Sequence, residues 1–259
     1  MNDNSFPFPP GTPMWADLGT SDLAGSVRFY GQLFGWQAED LGEQAGHYTF
    51  FRQDGKMVGG AGPLMMPQQP VAWATVISTA DAQATASAVE AAGGRALAPP
   101  MDVMGQGTIA VYADPSGAAF TAWQPSAGTR GAELVNAPNS LCWNELETRD
   151  LEGAKAFYPR VFNWGVHANP MPDGGEYVEW QVSGRSVAGA QAMGDHYPPQ
   201  VPPHWLVYFA VADTDAIMGQ AQALGGRVLT PPMDIPQGRF AVVQDPQGAT
   251  FGVIRLANV

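Results

Sequence analysis

The feature that most constrains the fold of this chain is an internal repeat. Residues 15–18 (Trp-Ala-Asp-Leu) recur as 143–146 (Trp-Asn-Glu-Leu), and the Phe-Tyr pair at 29–30 recurs at 157–158. Pro-Pro-Met-Asp at 99–102 returns at 231–234, and the Asp-Pro-x-Gly-Ala turn at 114–118 returns at 245–249. Because these blocks return in the same order, a tandem duplication predicts the architecture before any single motif is interpreted.

Each half divides again into two copies of one pattern, in which a strand and a helix are followed by further strands. Asp22 is a helix N-cap ahead of apolar residues at helical spacing, and residues 81–92 form a second helix pattern. In the second half, helices are predicted to start at Asp150 and Asp213. The prediction is an α+β chain of four βαβββ modules in two domains, 10–126 and 137–257, joined by a linker rich in Gly, Ala, Pro and Asn.

Pro159 departs from this pattern, because it lies inside the third helix at the place where the first helix has Gly31. A proline at an internal helix position removes one backbone hydrogen bond. We therefore expect the third helix to kink or to end early.

Composition excludes several classes of function. The 259 residues carry 24 acidic and 12 basic side chains and a formal net charge of −12, which disfavours nucleic-acid binding. No apolar run is long enough to cross a membrane, and residues 1–11 lack the pattern of a secretion signal. The single cysteine, Cys142, excludes an intrachain disulfide and predicts a buried, inert thiol. We expect a cytoplasmic protein.

Four βαβββ modules in tandem pairs resemble the vicinal-oxygen-chelate superfamily, which includes glyoxalase I, bleomycin-resistance proteins and extradiol dioxygenases. The resemblance is carried by residues 15–22, 29–30 and 34–36, by their counterparts in the second half, and by the two Asp-Pro-x-Gly turns. It covers nearly the whole chain beyond residue 10 and points to the two-domain bacterial glyoxalase-like proteins. The resemblance implies two open eight-stranded sheets, each curled around a cup with helices outside.

The resemblance also implies where a metal ion would be held. Metal-dependent members place a histidine at the start of the first strand, and this position holds Trp15 in one half and Trp143 in the other. An indole N–H is a donor with no lone pair to offer a cation. The other implied ligand positions fall at Ala74 or Leu206, at Thr121 or Gly252, and within 59–61 or 187–190. None of these positions holds an imidazole or a carboxylate, so we expect no metal and no other cofactor.

The first strand of each half carries side chains suited to line a cup. Alternation predicts that Ala16 and Leu18 face the helices, while Trp15 and Asp17 face the cup. In the second half Trp143, Glu145 and Glu147 take the cup-facing positions. The tryptophans fill the core or stack on a flat ligand. The paired acids Asp17 and Glu145 accept structural hydrogen bonds, bind a polar ligand group or act as a general base.

The second half is richer in polar side chains, and a His–Glu pair across its cup is the best acid–base candidate. Alternation places His204, Leu206 and Tyr208 toward the cup and Val207 and Phe209 toward the helices. The predicted catalytic residues are Glu145, His204 and Tyr208. The predicted ligand-binding residues are Trp15, Asp17, Trp143, Glu147 and Glu179.

Three functional hypotheses remain open at this point. The first is a metal-independent protein that binds an aromatic or otherwise flat small molecule, as a binder or as a side-chain acid–base enzyme. The second is a metal-dependent glyoxalase-type lyase or isomerase, or a dioxygenase. The third is a non-catalytic structural domain pair. The sequence identifies neither the ligand nor turnover, and a tandem repeat is compatible with a monomer or a homodimer.

Overall fold

The computed structural model describes residues 8–66, 68–129, 131–171, 174–195 and 197–257. Residues 1–7 lie outside these ranges. The expectation that the chain has no secretion signal depends largely on these residues. Within them, no helix combines the length and the apolar character needed to cross a bilayer.

Four α-helices begin directly after an aspartate that caps them. They are α1 (Leu23–Phe34), α2 (Ala82–Ala91), α3 (Leu151–Phe162) and α4 (Thr214–Ala223). The caps Asp22, Asp81, Asp150 and Asp213 each accept a backbone N–H of the first turn, which would otherwise have no partner. The predicted starts of all four helices are confirmed.

The expectation that Pro159 ends α3 early is wrong. The helix runs through Pro159 to Phe162 and is as long as α1, at 12 residues each. Two observations explain this. Phe157 and Tyr158 are buried in the core just before the proline, and Asn163 ends the helix in the left-handed conformation. Side-chain packing on both sides therefore outweighs the one backbone hydrogen bond that proline cannot make.

The strands form two open, mixed sheets of eight. The first contains β1 (Pro13–Thr20), β2 (Gln37–Asp40), β3 (Thr49–Gln53), β4 (Lys56–Pro63), β5 (Ala72–Ser78), β6 (Arg95–Asp102), β7 (Gly107–Ala113) and β8 (Ala119–Pro125). The second contains β9 (Ser140–Thr148), β10 (Gly165–Pro170), β11 (Glu176–Val182), β12 (Arg185–Ala192), β13 (His204–Ala210), β14 (Arg227–Ile235), β15 (Gly238–Gln244) and β16 (Thr250–Leu256). Their orders are β2-β3-β4-β1-β5-β8-β7-β6 and β10-β11-β12-β9-β13-β16-β15-β14.

This arrangement confirms the predicted α+β class and the four βαβββ modules. The pairs β1–β4 and β5–β8 are parallel, whereas the hairpins β3–β4 and β7–β8 are antiparallel. The second sheet repeats the scheme with β9–β12 and β13–β16 parallel. The boundaries 10–126 and 137–257 stay a prediction.

Backbone contacts divide the chain into two compact units. The α2–α3 unit consists of Met1–Met14, Thr75–Gly131 and Trp143–Trp205, and the α1–α4 unit of Trp15–Ala74, Ala132–Cys142 and Leu206–Val259. Each unit has its own hydrophobic core. In the α1–α4 unit the core contains Ala16, Leu18, Val207 and Phe209, which confirms the alternation predicted for these strands.

A buried Trp–Tyr–Asp chain lies in each core. In the α1–α4 unit, Trp73 Nε1 donates to the Tyr30 hydroxyl at 2.8 Å, and that hydroxyl donates to Asp245 Oδ2 at 3.0 Å. In the α2–α3 unit, Trp205 Nε1 donates to Tyr158 at 2.9 Å, and Tyr158 donates to Asp114 Oδ2 at 3.0 Å. The two repeated motifs, Phe-Tyr and Asp-Pro-x-Gly, are therefore hydrogen-bonded to each other.

The contribution of the Trp–Tyr–Asp hydrogen bonds to stability can be tested with Tyr158→Phe. We expect the free energy of unfolding to fall by about 1–3 kcal/mol, because a buried donor and a buried acceptor lose their partner. Urea denaturation measures the change. The matched control is Tyr112→Phe, since the Tyr112 hydroxyl lies in the same core and has no hydrogen-bond partner within the described ranges. Equal losses in the two variants would contradict a stabilising role for the Tyr158 hydrogen bonds.

Candidate functional site

Strand β9 positions the predicted acidic residues of the second half. Leu146 points into the core of the α2–α3 unit and is fully buried. Its neighbours Glu145 and Glu147 therefore lie on the opposite face of the strand. Both are nevertheless buried, with 7% and 1% of their surface exposed, so their ionisation depends on what they contact.

Glu145 accepts a hydrogen bond from a tyrosine that the sequence analysis missed. The Tyr177 hydroxyl donates to Glu145 Oε2 at 2.6 Å and accepts from Trp143 Nε1 at 2.8 Å. Gly189 makes this possible, because a Cβ at this position would overlap the Tyr177 hydroxyl. Trp143, Tyr177 and Glu145 thus form a hydrogen-bonded chain, and the Trp143 N–H is used as a donor.

Glu147 lies beside Glu145 and is bridged to it by Gln191. The Gln191 Nε2 atom is 2.9 Å from Glu147 Oε1 and 3.5 Å from Glu145 Oε1. Burial, followed by the negative charge of Glu145, raises the pKa of Glu147 well above its usual value. Its Oε2 atom is buried without a hydrogen-bond partner in the part of the chain that the structure describes. Burial therefore favours the protonated form of this carboxyl group.

Two further residues complete the cluster. Tyr197 lies in the loop before β13, and His204 is the first residue of β13. Burial, and then the charge of Glu147, raises the pKa of Tyr197. His204 Nδ1 lies 2.9 Å from the carbonyl oxygen of Pro202, which requires the proton on Nδ1 and leaves Nε2 as an acceptor. Burial lowers the pKa of His204, although the charge of Glu145 acts in the opposite direction. His204 is thus a neutral imidazole that can accept a proton.

The charge of Glu145 raises the pKa of His204, so the two side chains interact electrostatically. The predicted His–Glu pair stays a prediction. Glu179 lies on β11, in register with Gly189 of β12, which pairs in turn with Glu145. It accepts from Asn169 Nδ2 at 3.1 Å and from the Ser186 hydroxyl.

The α1–α4 unit contains a simpler version of the site. Trp15 Nε1 donates to the Tyr48 hydroxyl at 3.1 Å, and this hydroxyl donates to Asp17 Oδ1 at 2.6 Å. Burial raises the pKa of Asp17, and the hydrogen bonds from Tyr48 and Trp15 oppose the shift. Gly60 leaves room for Tyr48 as Gly189 does for Tyr177.

The sites of the two halves differ in the residues around the Trp–Tyr–acid hydrogen bonds. Gly19, Gly62 and Ala72 occupy the positions that hold Glu147, Gln191 and His204 in the second half. The first version therefore keeps the Trp–Tyr–acid chain and lacks the second acid, the bridging amide and the imidazole.

Two other predicted features belong to the α1–α4 unit. Tyr208 is buried on β13 with its ring against Gly252 and edge-on to Phe240 at 6.3 Å. Its backbone carbonyl accepts from Cys142 Sγ at 3.4 Å. Burial raises the pKa of Cys142 to about 12, which is consistent with the predicted inert thiol.

Sequence reasoning missed Tyr48, Tyr177, Gln191 and Tyr197. Tyr48 and Tyr177 could have been identified from the sequence, because they occupy matching positions of the repeat. Each is followed at the same distance by a glycine, Gly60 or Gly189. Tyr197 lies in a loop with no counterpart to compare, and only the fold brings it to Glu147.

The two tryptophan positions do not fit a divalent metal ion. Trp15 and Trp143 donate their indole N–H groups to tyrosines, so they offer no lone pair. Within the described ranges, no group of three or more His, Cys, Asp or Glu side chains is arranged to hold a metal ion. A surface depression lined by Ala168, Pro170, 174–175 and Glu176 contains none of the predicted site residues.

The protonation of Glu147 predicts how stability depends on pH. Because its pKa is raised in the folded protein, the native state binds this proton more tightly than the unfolded chain. The resulting stability is present below the unfolded pKa of about 4.3 and is lost as pH rises toward the folded pKa. We expect Glu147→Gln to gain stability relative to wild type between about pH 5 and pH 8, measured by urea denaturation. A difference that does not change with pH, as expected for the exposed control Glu152→Gln, would contradict the assignment.

The packing of Tyr177 on Gly189 predicts the effect of Gly189→Ala. The added methyl group would displace Tyr177 from Glu145, so we expect a loss of about 1–3 kcal/mol in unfolding free energy and an altered near-ultraviolet circular dichroism spectrum. The control is Gly219→Ala in α4, where a Cβ meets no atom within 4 Å. It should leave stability unchanged or raise it by up to about 1 kcal/mol. A Gly189→Ala variant as stable as this control would show that Tyr177 does not need the space.

Comparison with known proteins identifies the family of this chain. The Glyoxalase profile, described as the Glyoxalase/Bleomycin resistance protein/Dioxygenase superfamily, matches residues 14–121 and 140–253. The anthracycline biosynthesis protein DnrV of Streptomyces peucetius is 40% identical over 96% of this chain and 94% of its own length. The putative glyoxylase CFP32 of Mycobacterium bovis is 38% identical over 95% of each chain.

Solved structures share the fold at low sequence identity. The Mn(II)-bound glyoxalase from Novosphingobium aromaticivorans has a TM-score of 0.65 at 16% identity, covering 95% of this chain and 82% of its own. The 2,3-dioxygenase LapB from Pseudomonas sp. KL28 has a TM-score of 0.64 at 14% identity, covering 95% and 93%. The chain belongs to the glyoxalase/bleomycin resistance protein/dioxygenase superfamily.

Proposed function

We propose that this protein binds a flat, aromatic small molecule beside Glu145 and Glu147 and acts on it through side-chain acid–base chemistry, without a metal ion. The observation that carries the proposal is the buried carboxyl pair, in which burial raises the pKa of Glu147 and its Oε2 atom has no hydrogen-bond partner within the described ranges. A neutral carboxylic acid can donate a proton, and the free Nε2 of His204 can accept one.

The contrast between the two halves supports placing this activity in the second half. The Trp–Tyr–acid chain is present in both halves, as expected of a structural element. Glu147, Gln191 and His204 are replaced by Gly19, Gly62 and Ala72 in the first half. Buried polar groups cost stability unless they are fully hydrogen-bonded, so their presence in only one half favours a functional task there.

The roles follow from the hydrogen bonds. Tyr177 and Trp143 hold Glu145 in one orientation, and Gln191 keeps Glu147 against it. In this proposal Glu147 supplies or holds the proton, His204 Nε2 accepts one from the ligand, and Trp143 offers an aromatic face. Tyr208 stays a predicted catalytic residue, and Trp15, Asp17 and Glu179 stay predicted ligand-binding residues.

The names of the relatives suggest the first ligands to test. DnrV and DauV, each 40% identical to this chain, are both described as anthracycline biosynthesis proteins. Anthracyclines are flat and polycyclic, which agrees with the ligand class expected from the tryptophans. We further propose a cytoplasmic location, since the one cysteine is a free thiol.

The test is calorimetric titration of the protein with an anthracycline aglycone before and after treatment with a chelator. We expect saturable binding that the chelator does not change, weakened about tenfold or more in Glu145→Gln and His204→Ala. Glu152→Gln, an exposed acid in the same unit, serves as the control and should bind as wild type does.

Elemental analysis of the same samples separates this proposal from its rivals. About one metal ion per chain, with binding lost on chelation, would replace it with a metal-dependent glyoxalase- or dioxygenase-type activity. Absence of binding across aromatic ligands would favour a structural domain pair.

A further inference from the structure

Arg149 lies between two fixed points of the backbone and reaches across to a loop. Thr148 is the last residue of β9, and Asp150 caps α3. From this position Arg149 Nη2 donates to the carbonyl oxygens of Pro198 and Val201, at 3.0 and 3.2 Å. A guanidinium presents its donors in a rigid, planar arrangement, so an arginine on a fixed backbone can hold a loop in one place.

The two carbonyl groups belong to one turn of the loop that leads into β13. The Val201 N–H donates to the Pro198 carbonyl oxygen at 3.0 Å, so Arg149 binds both ends of this turn. Tyr197 directly precedes the turn, and Pro202 directly follows it. The arginine therefore fixes the chain on both sides, at the two residues that continue toward the candidate site.

Both flanking residues contact groups of the candidate site. The Tyr197 hydroxyl is hydrogen-bonded to Glu147. The Pro202 carbonyl oxygen accepts the Nδ1 proton of His204 at 2.9 Å, and the Tyr197 ring lies edge-on to the imidazole at 6.5 Å. The proposed proton donor, Glu147, and the proposed proton acceptor, His204, are thus each bonded to a residue next to the turn that Arg149 holds.

The first half has the corresponding connection without an arginine. Ser21 occupies the position of Arg149, and the loop before β5 is shorter than the loop before β13. This shorter loop is held by its own glutamine, because Gln69 Oε1 accepts from the Met65 N–H at 2.8 Å and the Gln69 N–H donates to the Met66 carbonyl oxygen at 3.1 Å. The arginine therefore occurs only in the half that carries the acid–base groups of the proposed function.

We infer that Arg149 is a positioning residue, which holds Tyr197 on Glu147 and keeps His204 in its hydrogen-bonded orientation, so that the ligand meets both groups in place. The inference rests on the proposed function for the task of these groups, whereas the positioning itself is measurable in the protein without a ligand. Arg149 acts through the turn and makes no contact with the ligand.

Spectrophotometric titration of the tyrosines tests the effect on Tyr197. Burial, followed by the charge and hydrogen bond of Glu147 and then the charge of Glu145, raises the pKa of Tyr197 in the wild-type protein. In Arg149→Ala we expect the turn to move away from the acids, so that one more tyrosine ionises near the usual pKa of about 10. The additional tyrosinate absorbance should disappear when Tyr197→Phe is added to the same variant.

Nuclear magnetic resonance titration of the imidazoles tests the effect on His204. Burial lowers the pKa of His204, while the hydrogen bond to Pro202 and the charge of Glu145 oppose the shift. Because burial is the largest of these effects, Arg149→Ala should raise the pKa toward the usual value of about 6.5 as the ring becomes exposed. His204→Gln assigns the resonance.

Two further variants serve as controls for Arg149→Ala. Arg149→Lys keeps the charge and can still donate, so both titrations should shift in the same direction by less, and it provides the test if Arg149→Ala does not fold. Arg160→Ala removes an exposed arginine at the end of α3 and should titrate as wild type does. Circular dichroism checks folding. Wild-type titrations of both Tyr197 and His204 in the folded Arg149 variants would overturn the inference.

Calorimetric titration with the anthracycline aglycone then connects positioning to binding. We expect Arg149→Ala to weaken binding about three- to tenfold, the range expected for one hydrogen bond, and Arg149→Lys to recover part of the loss. Unchanged affinity despite shifted titrations would also overturn the inference, because the turn would then not serve the ligand. Shifted titrations in a protein whose wild type does not bind the aglycone would support the positioning and contradict the proposed function.

Discussion

The buried hydrogen bond between a helix tyrosine and a turn aspartate is the interaction on which the rest of this structure depends. Tyr30 on α1 reaches Asp245, and Tyr158 on α3 reaches Asp114, so each bond joins segments far apart in the chain. The aspartate Oδ1 also accepts backbone N–H groups of its own turn, which holds the carboxylate in place. An isolated carboxylate in these cores would be strongly unfavourable, so each aspartate depends on its tyrosine and its turn N–H groups to be buried.

The same chemical pattern recurs on the other face of the strands. Trp15, Tyr48 and Asp17 in one unit, and Trp143, Tyr177 and Glu145 in the other, form chains in which an indole donates to a phenol and the phenol to a carboxylate. Duplication preserved this element in both copies. Around the second copy, Glu147 and His204 add groups that can exchange protons, and Gln191 adds a hydrogen-bond donor to the acids. These additions separate a structural element from a candidate site.

The family to which the chain belongs contains metal-bound members, yet the residues of this chain offer a different chemistry. The positions at which a metal ligand would be expected are taken by tryptophans whose N–H groups point to tyrosines. In the proposed function, charge in the site is stabilised by side-chain protons and fixed hydrogen bonds.

The sequence by itself determined the duplication, the four modules, the helix starts at the four capping aspartates and the alternation of β1 and β13. These are local properties: a repeat, a side chain that caps its own helix, and a period of two along a strand. The sequence analysis also selected Glu145, Glu147 and His204, because polar residues at inward positions are rare.

Only the tertiary structure decided which of these residues act together. It carried α3 through Pro159, because packing of Phe157 and Tyr158 outweighs one lost hydrogen bond. It grouped modules into cores that combine α1 with α4 and α2 with α3. It also brought Tyr177, Gln191 and Tyr197 to the acids and buried Glu147, which raises the pKa of its carboxyl group. The physical reason is that burial and the charge of neighbours, which set a pKa, depend on contacts between residues distant in the chain.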